Sequence, residues 1–183
     1  LLERDVAPPS SDPDVTFLDW HRRGAGHVRQ SHAFLARLRE IIRAKHPALL
    51  ERLKATGVRE LTFDMMLTPL QQDTYSPLPG DEELTIVTSR RTTLELVMRE
   101  YVESLENVSI RAGVFVRRLV TETRPDGIVR VTGVSGEVDG EPVDICADII
   151  VDAGGKSGFL IEQLMEEGAA IEEEAETAGI LYF

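Results

Sequence analysis

The chain has 183 residues with a formal net charge of −12, long enough for one domain, or one domain with part of another, to bury a core. Because binding to a phosphate backbone depends on lysine and arginine neutralising the phosphates, this acidic balance argues against a nucleic-acid partner. The single cysteine, Cys146, excludes an intrachain disulfide or a cysteine metal cluster and indicates a reducing, cytoplasmic setting. No apolar run approaches the roughly 20 residues of a transmembrane segment.

The first predicted element is the end of a strand at Leu1–Leu2, with Glu3 at its carboxyl edge. In dinucleotide folds an acidic residue at this place accepts hydrogen bonds from a ribose, about 20 residues after a glycine loop. That loop is not in this sequence, so a solvated terminal charge is the simpler interpretation. Residues Val6–Asp14, rich in proline and serine, predict an exposed connector, and Phe17 and Trp20 are expected to pack on the domain.

A basic segment, HRRGAGHVRQSH, follows at residues 21–32 and contains three of the four histidines. Its positive charge beside two glycines could meet an anion such as a pyrophosphate. Zinc is the rival interpretation, but His21, His27 and His32 lack the spacing typical of a metal site and have no nearby thiolate.

Two helices and two strands are predicted next. Ser31 is expected to cap a helix with an apolar face of Phe34, Leu35, Leu38, Ile41 and Ile42. Pro47 should start a second helix that ends at Gly57. The segments Glu60–Leu67 and Leu84–Ser89 predict strands that could pair in a separate small sheet.

A clear helix follows Arg90 and Arg91. Thr92 and Glu95 have the spacing of a capping box, and the apolar positions after them recur at helical intervals. The partial positive charge of the helix start, next to two arginines, makes an anion site plausible, although solvated arginines explain the pattern equally well.

The rest of the chain predicts a short strand at Val108–Ile110 and then a β-meander. Its strands are expected at Val114–Thr123, Ile128–Val138 and Val143–Val151, with Cys146 as an inert core residue.

The stretch ADIIVDAGGKSG at residues 147–158 predicts a strand buried on both faces, a glycine turn and a helix over Ser157–Glu167. Ligands of α/β proteins bind beyond the carboxyl ends of such strands. A nucleotide phosphate loop is rejected because its motif needs glycine where this chain has Ile150. An ordinary joint without a ligand remains an alternative.

Four short motifs occur in a characteristic order: ERD at residues 3–5, GAGHVRQSH at 24–32, SRRTT at 89–93 and DAGGKSG at 152–158. With the meander, this order resembles the FAD-dependent monooxygenases of the p-hydroxybenzoate hydroxylase-like group, especially polyprenyl-phenol hydroxylase-like oxidoreductases. The resemblance implies an α/β fold: a partial FAD-binding, Rossmann-like domain of the glutathione-reductase type with a three-stranded β-meander and pieces of a β-sheet substrate domain.

The resemblance also implies a domain division and a set of cofactor-binding residues. Residues 1–59 and 90–175 would belong to the FAD-binding domain, and residues 60–89 and 176–183 to the substrate domain. Glu3 would hold the adenosine ribose, with Arg4 beside it in the same motif, and Arg29 and Arg90 would lie along the FAD. The backbone of Val116 would flank the adenine.

Asp152 and Gly155 would form the turn that links the cofactor and substrate regions in this resemblance. No metal is implied, and no catalytic residue can be named. Because the glycine loop GxGxxG of the family is missing, we expect that the sequence is an internal piece of a longer protein and that this piece alone binds FAD poorly.

The implied activity is hydroxylation or epoxidation of a small organic substrate with FAD, O2 and NAD(P)H, in which the flavin supplies the difficult chemistry. A flavin-dependent reductase or halogenase of the same fold is an alternative. A non-catalytic acidic interaction module is another.

Overall fold

The computed structural model describes residues 1–155, 159–172, 174, 176 and 179, which fall into two compact units, Leu1–Gly113 and Val114–Phe183. The first unit contains, in order, β1 (Leu2–Glu3), α1 (Pro13–Asp19), β2 (Ser31–Phe34), α2 (Ala36–Lys45), α3 (Pro47–Ala55), β3 (Arg59–Leu61), α4 (Pro69–Gln72), β4 (Ile86–Arg90), α5 (Arg91–Glu103) and β5 (Arg111–Ala112). The second contains β6 (Val114–Thr123), β7 (Val129–Val138), β8 (Glu141–Cys146) and α6 (Leu160–Glu166).

The fold is mixed α/β, with parallel and antiparallel pairing. None of the helices in these described ranges has the length and apolar character needed to cross a membrane.

Strands β1 and β5 pair in parallel, with Leu2 opposite Arg111 and Glu3 opposite Ala112. The predicted strand end at Glu3 is therefore confirmed. The strand expected at 108–110 lies slightly later in the chain, at Arg111–Ala112.

A separate three-stranded antiparallel sheet has the order β2-β4-β3. The predicted pairing of the strands expected at Glu60–Leu67 and Leu84–Ser89 is confirmed, with Leu61 opposite Ile86. The first of these strands is shorter than predicted, because β3 ends at Leu61 and Asp64–Met66 forms a 3-10 helix. The prediction that Ser31 caps a helix is wrong. Ser31 begins β2 opposite Arg90, and α2 starts only at Ala36, because the segment forms backbone hydrogen bonds with β4 instead of turning into a helix.

The core of the first unit lies where α2, α3 and α5 pack on this sheet. Pro47 begins α3, and Gly57, with a φ of +87°, ends the turn that follows it, as predicted. The buried apolar residues of this cluster are Ile42, Leu49, Leu50, Leu53, Val58, Val87, Leu94 and Val97.

Helix α1 occupies part of the region predicted as a connector. Asp12 caps it by accepting hydrogen bonds from the amides of Asp14, at 2.7 Å, and Val15, at 3.2 Å, and Pro13 occupies the first turn. An aspartate before a proline is a recognised start signal for a helix. Trp20 ends the helix, is 1% exposed, and donates its indole N–H to a backbone carbonyl of the preceding loop, at 3.0 Å.

The capping box predicted at Thr92 is wrong, because the N-cap of α5 is Arg90, two residues earlier, and the helix begins at Arg91. The backbone N–H groups of Arg91 and Thr92 each donate to a carbonyl of the 24–32 segment, at 3.2 Å. The first two amides of the helix are therefore already hydrogen-bonded to carbonyl oxygens. The Glu95 carboxylate binds arginine side chains instead of closing a box.

Two fully buried threonines provide a matched test of hydrogen bonding. The Thr16 hydroxyl donates to the Ser10 carbonyl at 2.7 Å, whereas the Thr92 hydroxyl has no partner among the described residues. We expect Thr92→Val to raise the free energy of unfolding by about 1 kcal/mol and Thr16→Val to lower it by about 1 kcal/mol. Urea denaturation measures both, and shifts of the same sign would contradict this assignment.

The connection between β3 and β4 is folded rather than extended. Tyr75 donates its hydroxyl to Asp81 at 2.7 Å, and Asp81 also accepts the Leu78 amide at 2.8 Å. The hydrogen bond to Asp81, followed by burial, raises the pKa of Tyr75 to about 12. The Leu78 amide and then the Tyr75 hydroxyl lower the pKa of Asp81.

The second unit is the predicted meander, with strand order β6-β7-β8. Asp139 and Gly140, both at positive φ, turn β7 into β8. The α6 helix packs on β6, where the Gln163 side chain accepts the Leu119 amide at 2.8 Å and donates to the Leu119 carbonyl at 3.0 Å.

The expectation of a buried strand over residues 147–151 is wrong. β8 ends at Cys146, and Ile149 and Val151 are each 82% exposed. In the described part of the chain no strand lies beside them, so their β-branched side chains have nothing to pack against. Cys146 is exposed rather than part of the core. The predicted helix is present as α6, which starts at Leu160. Residues 156–158, 173, 175, 177, 178 and 180–183 lie outside the described residues.

Candidate functional site

Glu3 lies at the carboxyl end of β1, and both of its carboxylate oxygens already accept one hydrogen bond. Oε1 accepts the Asp5 backbone amide at 3.0 Å, and Oε2 accepts Nη2 of Arg22 at 3.1 Å. The Glu3 side chain is 32% exposed. Since a carboxylate oxygen can accept two hydrogen bonds, each oxygen retains capacity for a ligand hydroxyl.

Arg22 contacts three carboxylates at once. Besides Glu3, its Nε donates to Asp5 at 3.1 Å and its Nη1 donates to Glu95 at 2.8 Å. The guanidinium carbon lies 4.8 Å from the centroid of the buried Trp20 ring, and the arginine side chain is only 17% exposed. We call Arg22, Glu3, Asp5 and Glu95 the Arg22 cluster.

Asp5 is the most deeply buried member of this cluster. Its carboxylate also accepts the Gly24 amide at 3.4 Å, and its backbone carbonyl accepts the Gly113 amide at 3.4 Å. A buried carboxylate requires such partners, because removing an ion from water without compensating contacts costs on the order of several kcal/mol. Asp5 therefore joins the end of β1 to the loop that carries Arg22.

The cluster continues onto α5 through Glu95, whose second carboxylate oxygen binds Nε of Arg91 at 2.7 Å. An ion-pair chain thus runs from the end of β1 to the joint between β4 and α5. A cavity of about 350 Å³ borders the cluster, with an apolar wall that includes Leu2, Trp20 and Met98.

Arg4, predicted beside Glu3, has a side chain that is half exposed. Its Nε lies 3.9 Å from Asp5, and its guanidinium lies close to Gly24. Arg4 therefore provides an accessible positive charge next to the cluster.

Arg29 and Arg90, both predicted to lie along the cofactor, meet the same helix, α1. Arg29 donates to the Leu18 carbonyl. Arg90 pairs with Asp14 at 2.6 Å, and its guanidinium carbon lies 4.4 Å from the centre of the Phe17 ring. The structure brings these two arginines to one element, where part of their hydrogen-bonding capacity is already used.

The remaining predicted residues belong to the second unit. Val116 lies in β6 opposite Gly136. Asp152 accepts the Gly154 amide at 2.7 Å, and Gly155 has a φ of +79°. The chain directly after Gly155, residues 156–158, lies outside the described residues. Asp152 and Gly155 are exposed.

Two of the three histidines of the basic segment, His27 and His32, lie close together with their rings tilted. The ring centroids of His27 and His32 are 5.3 Å apart, and His32 stacks on Phe34. Across the described residues, no group of three or more histidine, cysteine, aspartate or glutamate side chains is placed to hold a metal ion.

Sequence reasoning missed Arg22, Asp5 and Glu95 as site residues. Only the spacing of Arg91 and Glu95, four residues apart on one helix, is a local signal of pairing. The Arg22 contacts span 17 to 73 residues along the chain, and no local pattern indicates them.

No family model matches the sequence, and no curated protein matches it. The structure is similar to the crystal structure of THI4 from Thermovibrio ammonificans, with a TM-score of 0.50 and 16% sequence identity. The alignment covers 91% of this chain and 52% of that chain, so the chain spans about half the length of the solved protein. At this identity the similarity concerns the fold alone.

Proposed function

We propose that this chain belongs to a flavin-dependent enzyme and that Glu3 binds the adenosine ribose of FAD. The observation that carries the proposal is the Glu3 carboxylate, which is fixed at the end of a parallel strand with free acceptor capacity. Ligands of open α/β sheets bind at this place. The fold similarity to THI4 supports a flavin-type, FAD-binding class of fold.

The residues of the first unit fit the adenosine end of FAD. Glu3 offers acceptors for ribose hydroxyls, and Arg4 offers an exposed cation for a nearby phosphate. Arg29 and Arg90 fit the phosphates less well, because each already binds α1. In the second unit, the backbone of Val116 and the turn at Asp152 and Gly155 remain candidates for adenine and linker contacts.

The finer proposal is a cytoplasmic monooxygenase that hydroxylates or epoxidises a small organic substrate with O2 and NAD(P)H. Bound FAD would supply the redox and oxygen chemistry. The chain's own part would be to bind and orient the adenosine half, with residues 60–89 and 176–183 contributing to a substrate domain.

The first test is FAD affinity in the protein expressed from its complete reading frame. Glu3→Gln keeps the size of the side chain but removes its charge, so charge-assisted hydrogen bonds to the ribose weaken. We expect FAD to bind about tenfold more weakly, measured by flavin fluorescence titration. Glu106→Gln, at an exposed position outside the Arg22 cluster, is the matched control and should leave the affinity unchanged.

Two outcomes would overturn parts of the proposal. A purified complete protein without stoichiometric FAD, and without affinity for added FAD, would refute flavin binding. NAD(P)H oxidation without incorporation of oxygen into any substrate would favour the reductase alternative over the monooxygenase.

A further inference from the structure

We infer that Arg22 is a positioning residue that orients the Glu3 carboxylate for the ribose, an inference that rests on the proposed function. Each of its three guanidinium nitrogens donates to a different carboxylate. Nη2 binds Glu3 at 3.1 Å, Nε binds Asp5 at 3.1 Å and Nη1 binds Glu95 at 2.8 Å.

These three contacts fix the plane of the guanidinium. Asp5 is buried at the base of the cluster, Glu95 is anchored on α5, and the Trp20 ring limits movement on one face. Arginine suits this place because its nitrogens form a rigid planar fork, whereas the ammonium of lysine is a point charge at the end of a flexible stem. The guanidinium thus forms a fixed donor in front of Glu3.

Fixing the donor also fixes the acceptor. A glutamate loses rotamer entropy when it binds a ligand, and this loss weakens binding unless the side chain is already ordered. Here Arg22 holds Oε2 and the Asp5 amide holds Oε1, so the carboxylate is ordered before any ligand arrives. Without Arg22, three neighbouring carboxylates would repel one another, and Glu3 would turn toward solvent.

The test measures FAD affinity of Arg22→Gln, Arg22→Lys and the matched control Arg23→Gln in the complete protein. Arg23 is the adjacent, exposed arginine. We expect Arg22→Gln to weaken FAD binding about fivefold to tenfold, Arg22→Lys to weaken it less, and Arg23→Gln to leave it unchanged. Circular dichroism of each variant confirms that it is folded. If Arg22→Gln does not fold, the charge-retaining Arg22→Lys decides the test.

A double-mutant cycle separates positioning from general structural support. If Arg22 acts through Glu3, adding Arg22→Gln to Glu3→Gln causes little further loss of FAD affinity. Losses that multiply, or an unchanged affinity in the Arg22 variants, overturn the inference and leave the proposed function intact. A parent protein that binds no FAD overturns both.

Discussion

Replacing Gly136 with alanine is expected to disrupt the three-stranded sheet of the second unit, lowering the free energy of unfolding by about 3 kcal/mol. A Cβ at this position would lie 2.4 Å from the Phe115 carbonyl oxygen and 3.0 Å from the Val116 Cα. Both are backbone atoms of the paired strand β6, so the steric overlap with the new Cβ cannot be relieved by a side-chain movement. The sheet must therefore separate locally or lose its register around Val116.

Urea denaturation followed by far-ultraviolet circular dichroism measures this effect. Gly26→Ala is the matched control, because a Cβ there has no atom within 4 Å and the backbone does not adopt a positive φ. It should change stability by less than about 1 kcal/mol. Equal urea midpoints of unfolding for the two variants would show that β6 and β7 are not as closely paired as described.

A second glycine of β7 lies against the other neighbouring strand. At Gly133 a Cβ would lie 2.4 Å from the Ile145 carbonyl oxygen of β8. The central strand of the meander thus carries one glycine against each neighbour. The turns between the strands were predictable from their Pro-Asp-Gly and Asp-Gly sequences, but the close approach at these glycines depends on the register of pairing, which only the structure reveals.

Elements governed by local signals could be predicted, and those governed by distant pairing could not. Helix α3, between Pro47 and Gly57, follows from its own sequence. Ser31 has the side chain typical of a helix cap, yet it pairs with a strand about 60 residues later in the chain, which ends at Arg90. Tertiary pairing overrides local preference in this case.

The run at Ile149–Val151 illustrates a second limit. A continuous stretch of β-branched residues indicates that a strand would be buried if neighbours covered it, but the pattern cannot identify those neighbours. In the candidate site, the place of Glu3 at the end of a strand was predictable because it is a local feature, whereas its role toward a ribose was implied by the family resemblance. Arg22 was not identified, because its role arises from carboxylates at the end of β1 and on α5, which the fold brings together around it.

Replacing Trp20 with alanine should cause the largest loss of stability in the first unit, about 3–5 kcal/mol. The side chain is almost fully buried, so truncation leaves a large cavity. It also removes the hydrogen bond from the indole N–H to the Val6 carbonyl, at 3.0 Å, and the aromatic face beside Arg22. The loop before α1 would lose its attachment, and the Arg22 guanidinium would lose its support.

Two further variants make this prediction specific. Trp20→Phe retains an aromatic ring and should cost about 1–2 kcal/mol, mainly for the unpaired Val6 carbonyl and the lost volume. Leu18→Ala, at an exposed position on the same helix, should change stability by less than about 0.5 kcal/mol. Because Trp20 is the only tryptophan, its variants have no tryptophan fluorescence, and their unfolding in urea is followed by circular dichroism. A loss for Trp20→Ala no larger than that for Leu18→Ala would mean that Trp20 is not buried against the loop, and the support proposed for Arg22 would fail with it.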